Sequence, residues 1–164
     1  MKFLVDSMLG KLARFLRIFG YDTVYANDLV GYFNLNPVPD DKLRLYAKKN
    51  NRHIITKDEL LYKGYIEKSF YLKGEGIYNY LNQLKKTLKV NFEFKIAEAR
   101  CSICNSRLKK IKNKSVIKDF VLKESFNNYN EFFECVNLHC NKIYWEGSHI
   151  TDIKNRLEND SAVL

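Results

Sequence analysis

Two short apolar runs, Phe3-Leu4-Val5 and His53-Ile54-Ile55-Thr56, are each followed within two residues by an aspartate, Asp6 and Asp58. Between and after these runs the apolar period changes. From Ser7 to Phe19 the residues Met8, Leu12, Phe15, Leu16 and Phe19 recur at helical spacing, and Gly20 supplies the C-terminal stop. The other face of that helix carries Lys11, Arg14 and Arg17. Tyr21 to Ala26 is β-prone, Gly31 to Pro39 reads as a loop, and Asp40-Asp41 opens a second helix with Leu43, Tyr46 and Ala47 inward. Short apolar runs alternating with helical stripes build βαβ units, and hence a parallel sheet covered by helices. Tyr71 and Leu72 extend the pattern towards a fourth strand. Ile77, Leu81, Leu84 and Leu88 form a further helical stripe. Val90, Phe92, Phe94 and Ile96 alternate with polar residues, as a strand or extended connector leading out of the domain would.

In an open parallel sheet, functional groups gather beyond the carboxyl ends of the strands. Asp6 and Asp58 fall there, and their carboxylates converge if the two strands are neighbours. A helix opening at Asp40, or at Asp41 if the element is displaced by one residue, would enter from the same edge. Three carboxylates in one place repel each other unless a divalent cation is bound, and hard oxygen ligands suit Mg²⁺ or Mn²⁺. Such ions activate water and neutralise charge on phosphate oxygens. Lys11, Arg14 and Arg17 are then candidates for holding a phosphate backbone, and the Thr56 hydroxyl for orienting a carboxylate or a bound water. Each residue also has a plainer reading: an aspartate after a strand commonly caps a helix, and cations on an amphipathic helix are commonly its solvated face.

Beyond Glu98 the character changes, which divides the chain into 1–98 and 99–164. Cys101-Ser-Ile-Cys104 is one close pair, and Cys135 and Cys140 are a second. Two knuckles separated by a long excursion match the layout of a four-cysteine zinc ribbon, with His139 as a substitute ligand and a redox pair at Cys101 as the rival. The excursion is rich in lysine (Lys109, Lys110, Lys112, Lys114, Lys118) and suits RNA contact or simple solvation. Tyr144-Trp145 is expected to pack on the ribbon, and His149 leads into a last helical stretch with Ile150, Ile153 and Leu157.

Lys and Arg number 28 against 19 acids, a net charge of +9. That excess favours a polyanionic partner, although a basic surface also serves solubility. No run is long enough to span a bilayer, and the opening apolar stretch meets Asp6 too early for a signal peptide. A cytoplasmic protein with reduced thiols is expected.

Together these residues resemble the Mut-seven C-terminal ribonuclease family. The resemblance runs from Phe3-Leu4-Val5-Asp6-Ser7-Met8-Leu9-Gly10-Lys11-Leu12-Ala13-Arg14-Phe15-Leu16-Arg17 through Gly20-Tyr21-Asp22-Thr23, Asn27-Asp28, the element at Asp40 and Ile54-Ile55-Thr56-Lys57-Asp58. It continues through Cys101-Ser-Ile-Cys104, Phe132 and Cys135 to Tyr144-Trp145-Glu146-Gly147-Ser148-His149. It implies a PIN-like, Rossmann-type α/β nuclease domain with an appended zinc ribbon, and it carries the family's acidic positions onto Asp6, Asp40 and Asp58. The chain departs from the pattern in the Gly31–Pro39 insertion and in a second cysteine pair wider than CxxC. No fourth acid is evident beyond the candidates Asp28 and Glu75. The expected activity is a metal-dependent endoribonuclease acting on single-stranded or loop RNA, with the ribosome or a tRNA as candidate targets. The alternative is a non-catalytic RNA- or ribosome-binding zinc-ribbon protein with a degenerate nuclease site.

Overall fold

A strand buried on both faces must be apolar at every position, and Phe3, Leu4 and Val5 are all buried. In the computed structural model, which describes residues 1–159, they lie on β1 (Lys2–Val5), an inner strand. The first part of the chain continues with α1 (Gly10–Ile18), β2 (Asp22–Tyr25), α2 (Val30–Phe33), α3 (Asp40–Lys49), β3 (His53–Thr56), α4 (Glu59–Lys63), β4 (Ser69–Tyr71) and α5 (Ile77–Leu88). The four strands form one parallel sheet in the order β2-β1-β3-β4. Side chains alternate between its faces. Phe3, Val5 and Ile55 pack beneath Leu12 and Leu16 of α1 and Leu81 and Leu84 of α5. Leu4 and Ile54 pack against Leu43 and Ala47 of α3 and Leu61 of α4.

Three local expectations change. The first helix begins at Gly10, because Asp6 instead caps a 3-10 turn at Ser7–Leu9, and Met8 is exposed rather than inward. The Gly31–Pro39 segment opens within α2, which ends at Asn34 in the left-handed conformation. Val90 to Ile96 makes no ladder. The free edge of β2 is already taken by the second part of the chain, since Thr23 N–H donates to Asn105 Oδ1 at 3.0 Å. Phe92 and Phe94 pack against the α1/α5 core, and Asn91 is held by the Tyr21 hydroxyl, which donates to its carbonyl at 2.7 Å and accepts its N–H at 2.8 Å.

The second part forms β5 (Leu108–Lys110), α6 (Lys123–Asn128), β6 (Phe133–Cys135), β7 (Ile143–Tyr144) and α7 (Ser148–Asn159). Its three strands are antiparallel in the order β5-β6-β7. This is a mixed α/β molecule, a Rossmann-type parallel sheet followed by a small β-rich ribbon. α7 returns to the first part, where Ile153 and Leu157 join the packing around α1 and α5. The two parts lie close enough for Arg100 N–H to donate to Arg17 O at 2.8 Å, and just before that crossing a Cβ on Gly20 (φ +85°) would come within 2.9 Å of the Glu98 carbonyl oxygen. Among the described residues no helix is long and apolar enough to cross a membrane.

Candidate functional site

β1 and β3 are parallel neighbours with Val5 opposite Ile55, so Asp6 and Asp58 leave the sheet at the same edge. Thr56, which is fully buried, links the Asp6 side chain to the Asp58 backbone. The Thr56 hydroxyl donates to Asp6 Oδ2 at 2.5 Å and accepts the Asp58 backbone N–H at 2.8 Å. Asp6 Oδ1 accepts from Ser7 N at 2.6 Å, and Asp58 Oδ1 accepts from Leu61 N at 2.8 Å as the N-cap of α4. The plain capping role is therefore present at both aspartates. It does not exhaust either carboxylate, since each ionised carboxylate has about four acceptor positions.

Asp40 is the first residue of α3, with Pro39 rather than Asp40 itself in the N-cap position. Burial, followed by the charge of Asp58, holds the Asp40 carboxyl above the usual carboxylate range. Arg44, at 4.0 Å, opposes this, while Asp6 and Asp41 add to it. Asp6, Asp40 and Asp58 thus share one electrostatic neighbourhood. Asp41 is largely exposed and lies 3.4 Å from Lys42. Among the described residues, however, only the four cysteines bring three or more potential metal-ligating atoms close together. The carboxylates share an edge without closing into a cage.

Lys11 and Arg14 are exposed and have no acidic partner among the described residues. Arg17, expected beside them on the outer face, is only 2% exposed. Its Nε donates to Thr23 O at 2.8 Å, its Nη1 to Ser102 O at 3.1 Å and Ile103 O at 2.9 Å, and its Nη2 to the Asp28 carboxylate. The reason is geometric: at the end of α1 this side chain meets the first cysteine knuckle instead of water. Asp28 is occupied by this contact, with Tyr25 N–H also donating to it at 3.0 Å.

Sequence reasoning passes over Lys57, which is ion-paired to Glu75 at the same sheet edge. That pairing holds the Glu75 carboxyl below the usual range. The Tyr80 hydroxyl lies 2.9 Å from the other Glu75 oxygen. Lys11, Lys57, Glu75 and Tyr80 line a cleft of about 330 Å³. The one signal in the sequence is the position of Lys57, between a strand end and an aspartate.

The four cysteine sulfurs all lie within 4.8 Å of one another. Cys101 Sγ is 3.6 Å from Cys140 Sγ, and Cys104 Sγ is 3.4 Å from Cys135 Sγ. A tetrahedral ion with Zn–S bonds of about 2.3 Å requires S···S edges of about 3.8 Å, so the donor set fits zinc. The first knuckle closes through Asn105 N–H to Cys101 O at 2.9 Å, with Asn105 left-handed (φ 64°). The wider second knuckle closes through Asn137, whose N–H points to Cys135 Sγ at 3.4 Å and whose carbonyl accepts Cys140 N–H at 2.9 Å. His139 is exposed and outside the cluster. The Tyr144 hydroxyl, 3.1 Å from Cys101 Sγ, supports the site from behind the thiolates, a role that sequence alone does not show.

A family model described as the Mut7-C RNAse domain matches residues 1–157. No curated protein and no solved structure matches the chain.

Proposed function

Because this chain belongs to the Mut7-C RNAse domain family, we propose that it is a metal-dependent endoribonuclease whose chemistry lies in residues 1–98, followed by a zinc ribbon with a C-terminal helix in 99–164, of which 160–164 lie outside the described residues. The observation that carries this reading is the hydrogen-bond chain from the Asp58 backbone through Thr56 to the Asp6 carboxylate at one sheet edge, beside an Asp40 carboxyl that burial, and then the charges of Asp58 and Asp6, hold high. Carboxylates brought to one edge against their mutual repulsion are groups whose charge a bound cation would neutralise. Asp6, Asp40 and Asp58 would hold Mg²⁺ or Mn²⁺, with Asp41 able to stand in for Asp40 and Glu75 able to approach if Lys57 releases it. When bound, such an ion supplies a water of lowered pKa and neutralises charge on the phosphate. Thr56 keeps Asp6 oriented. Lys11 and Arg14 hold the backbone of a single-stranded or loop RNA, the ribosome and tRNA being candidate sources. Arg17 positions the ribbon rather than the substrate. Cleavage leaves a 5′-phosphate and a 3′-hydroxyl. The cysteine cluster needs reduced thiols, in keeping with a cytoplasmic setting.

The test is incubation of purified protein with mixed cellular RNA, with and without Mn²⁺, followed by mapping of the cut ends. Wild type should cut only with the metal. Asp6→Asn should not cut at all, with fold and zinc content unchanged. Cutting by Asp6→Asn at the wild-type rate would defeat the assignment. A second reading, an RNA- or ribosome-binding protein with a degenerate site, has one observation in its favour: Asp6 and Asp58 already serve as caps and no carboxylate cage is closed among the described residues. It predicts RNA binding with no metal-dependent turnover in either protein.

A further inference from the structure

The seam between the parallel sheet domain and the ribbon holds two adjacent spaces. One is a groove of about 800 Å³ lined by Lys11, Arg14, Tyr25, Asn27 and Ile103. The other is a pocket of about 300 Å³ lined by Phe94, Arg100, Leu108, Lys142, Tyr144 and Trp145. Ile18, Ser102 and His149 line both. The groove begins on the Lys11/Arg14 face, one turn past Asp6, and ends against the first cysteine knuckle. Its exposed cations suit a phosphate backbone. The pocket suits something else. It is mostly apolar and aromatic, with a few cationic or polar groups, the composition that accepts a planar heterocycle. The Arg100 guanidinium gives a second sign. Its Nη1 donates to Asn105 O at 2.8 Å, but its Nε is buried with no hydrogen-bond partner. A buried donor left without an acceptor is uncommon and calls for a further partner, such as a water, an ion or a ligand atom.

We propose that this pocket is a nucleobase subsite: an RNA strand lying in the groove turns one base past His149 into the seam, where it stacks among Phe94, Tyr144 and Trp145. An Arg100 or Lys142 donor meets an acceptor on its edge. The inference rests on the endoribonuclease reading and deepens it, because the ribbon then selects where the strand is held relative to Asp6. It also gives the zinc a reason to matter for substrate choice. A zinc ion held by Cys101 and Cys104 would fix the backbone between them, where Ser102 lines both groove and pocket and Ile103 lines the groove. Base stacking in such platforms contributes on the order of 1–3 kcal/mol per base, or roughly 5- to 150-fold in affinity.

Trp145 is the only tryptophan in the chain, so its fluorescence reports this pocket directly. The experiment titrates non-cleaving Asp6→Asn protein, zinc-loaded, with a 5′-labelled single-stranded RNA octamer. Anisotropy and tryptophan emission are followed together. A set of octamers each abasic at one position serves as the probe. The expected result is saturable tryptophan quenching that tracks the anisotropy curve. One abasic position should lose the quenching and at least fivefold in affinity. Lys142→Glu, at an exposed position, should weaken the intact octamer and leave the abasic one nearly unaffected. Binding with no change in tryptophan emission, or with equal affinity for every abasic octamer, would overturn the subsite while leaving the nuclease reading intact. Absence of RNA binding by anisotropy would overturn both.

Discussion

Asp40 is held where its charge costs the folded chain stability. Burial comes first, Asp58 second, and together they raise its pKa above that of a free aspartate. A carboxyl whose folded pKa is raised binds its proton more tightly in the native state than in the unfolded one. Its favourable contribution is therefore complete below the unfolded pKa, near 3.8, and is lost as pH rises through the folded value. At neutral pH the loss is complete. Asp40→Asn should accordingly raise the melting temperature at pH 7 in the absence of divalent ions, and should do so less at pH 4. Added Mn²⁺ should then raise the melting temperature of wild type more than that of the variant, since a bound cation reverses the repulsion. Scanning calorimetry at the two pH values, with and without Mn²⁺, checks both parts. A lower melting temperature for Asp40→Asn at pH 7 would show that Asp40 is kept for its contact with Arg44.

At the scale of elements, α1 and the first cysteine knuckle are fastened together by one side chain. The Arg17 guanidinium reaches β2, the knuckle and Asp28 at once, and Asn105 of the knuckle bonds both Thr23 N–H and, at 2.8 Å, Asp22 Oδ1. Asp22 also pairs with the buried Arg52 at 2.8 Å, and these hydrogen bonds hold its carboxyl below the usual range against the effect of burial. Arg17→Met keeps the aliphatic stem but strands several carbonyls and the Asp28 charge, a loss of about 3 kcal/mol. Chemical denaturation should show that loss with the zinc still bound, because the cysteines themselves are untouched. Cys104→Ser should act in the opposite order. Zinc should fall to zero first, the ribbon strands should melt, and the parallel-sheet part should stay folded at a lowered melting temperature, its clasp to the knuckle gone. Elemental analysis together with circular dichroism distinguishes the two. A Cys104→Ser protein with one zinc per chain would remove the four-cysteine assignment.

Across the whole molecule the charge of +9 is not spread evenly in effect. Lys109 and Lys110, in the lysine-rich excursion, are matched by Glu134 and Glu131. Lys114 lies over the Phe126 and Phe132 rings. Lys11 and Arg14 have no such partners among the described residues, and they border the groove that runs from the sheet edge to the knuckle. RNA affinity should fall steeply with salt. Replacing Lys11 and Arg14 with Gln should lower the slope of log K against log salt by about 0.7 for each phosphate that is no longer neutralised, the value for single strands. Replacing Lys109 and Lys110 should change it less. Equal reductions from both pairs would move the RNA onto the ribbon hairpin.

The sequence determined by itself whatever depends on local period and spacing. The alternation of apolar runs and helical stripes argues for a parallel sheet, the ends of its strands place Asp6 and Asp58 at the carboxyl edge, and the two close cysteine pairs match the knuckles of a ribbon. Strand ends and knuckles are set by residues near one another in the chain, so their order is legible in one dimension. The role of Arg17 was not legible. Its spacing placed it on a solvated face, and only the docking of Ser102 and Ile103, some 85 residues further along, turned that face into an interior. The same holds for the unpaired Val90–Ile96 segment, whose alternation reads as a strand although Asn105 and Arg17 had already satisfied the edge of β2. The Lys57–Glu75 pair and the Tyr144 support of Cys101 belong to this second class. Hydrogen-bond competition between distant segments decides such contacts, and no local pattern records which segment arrives first.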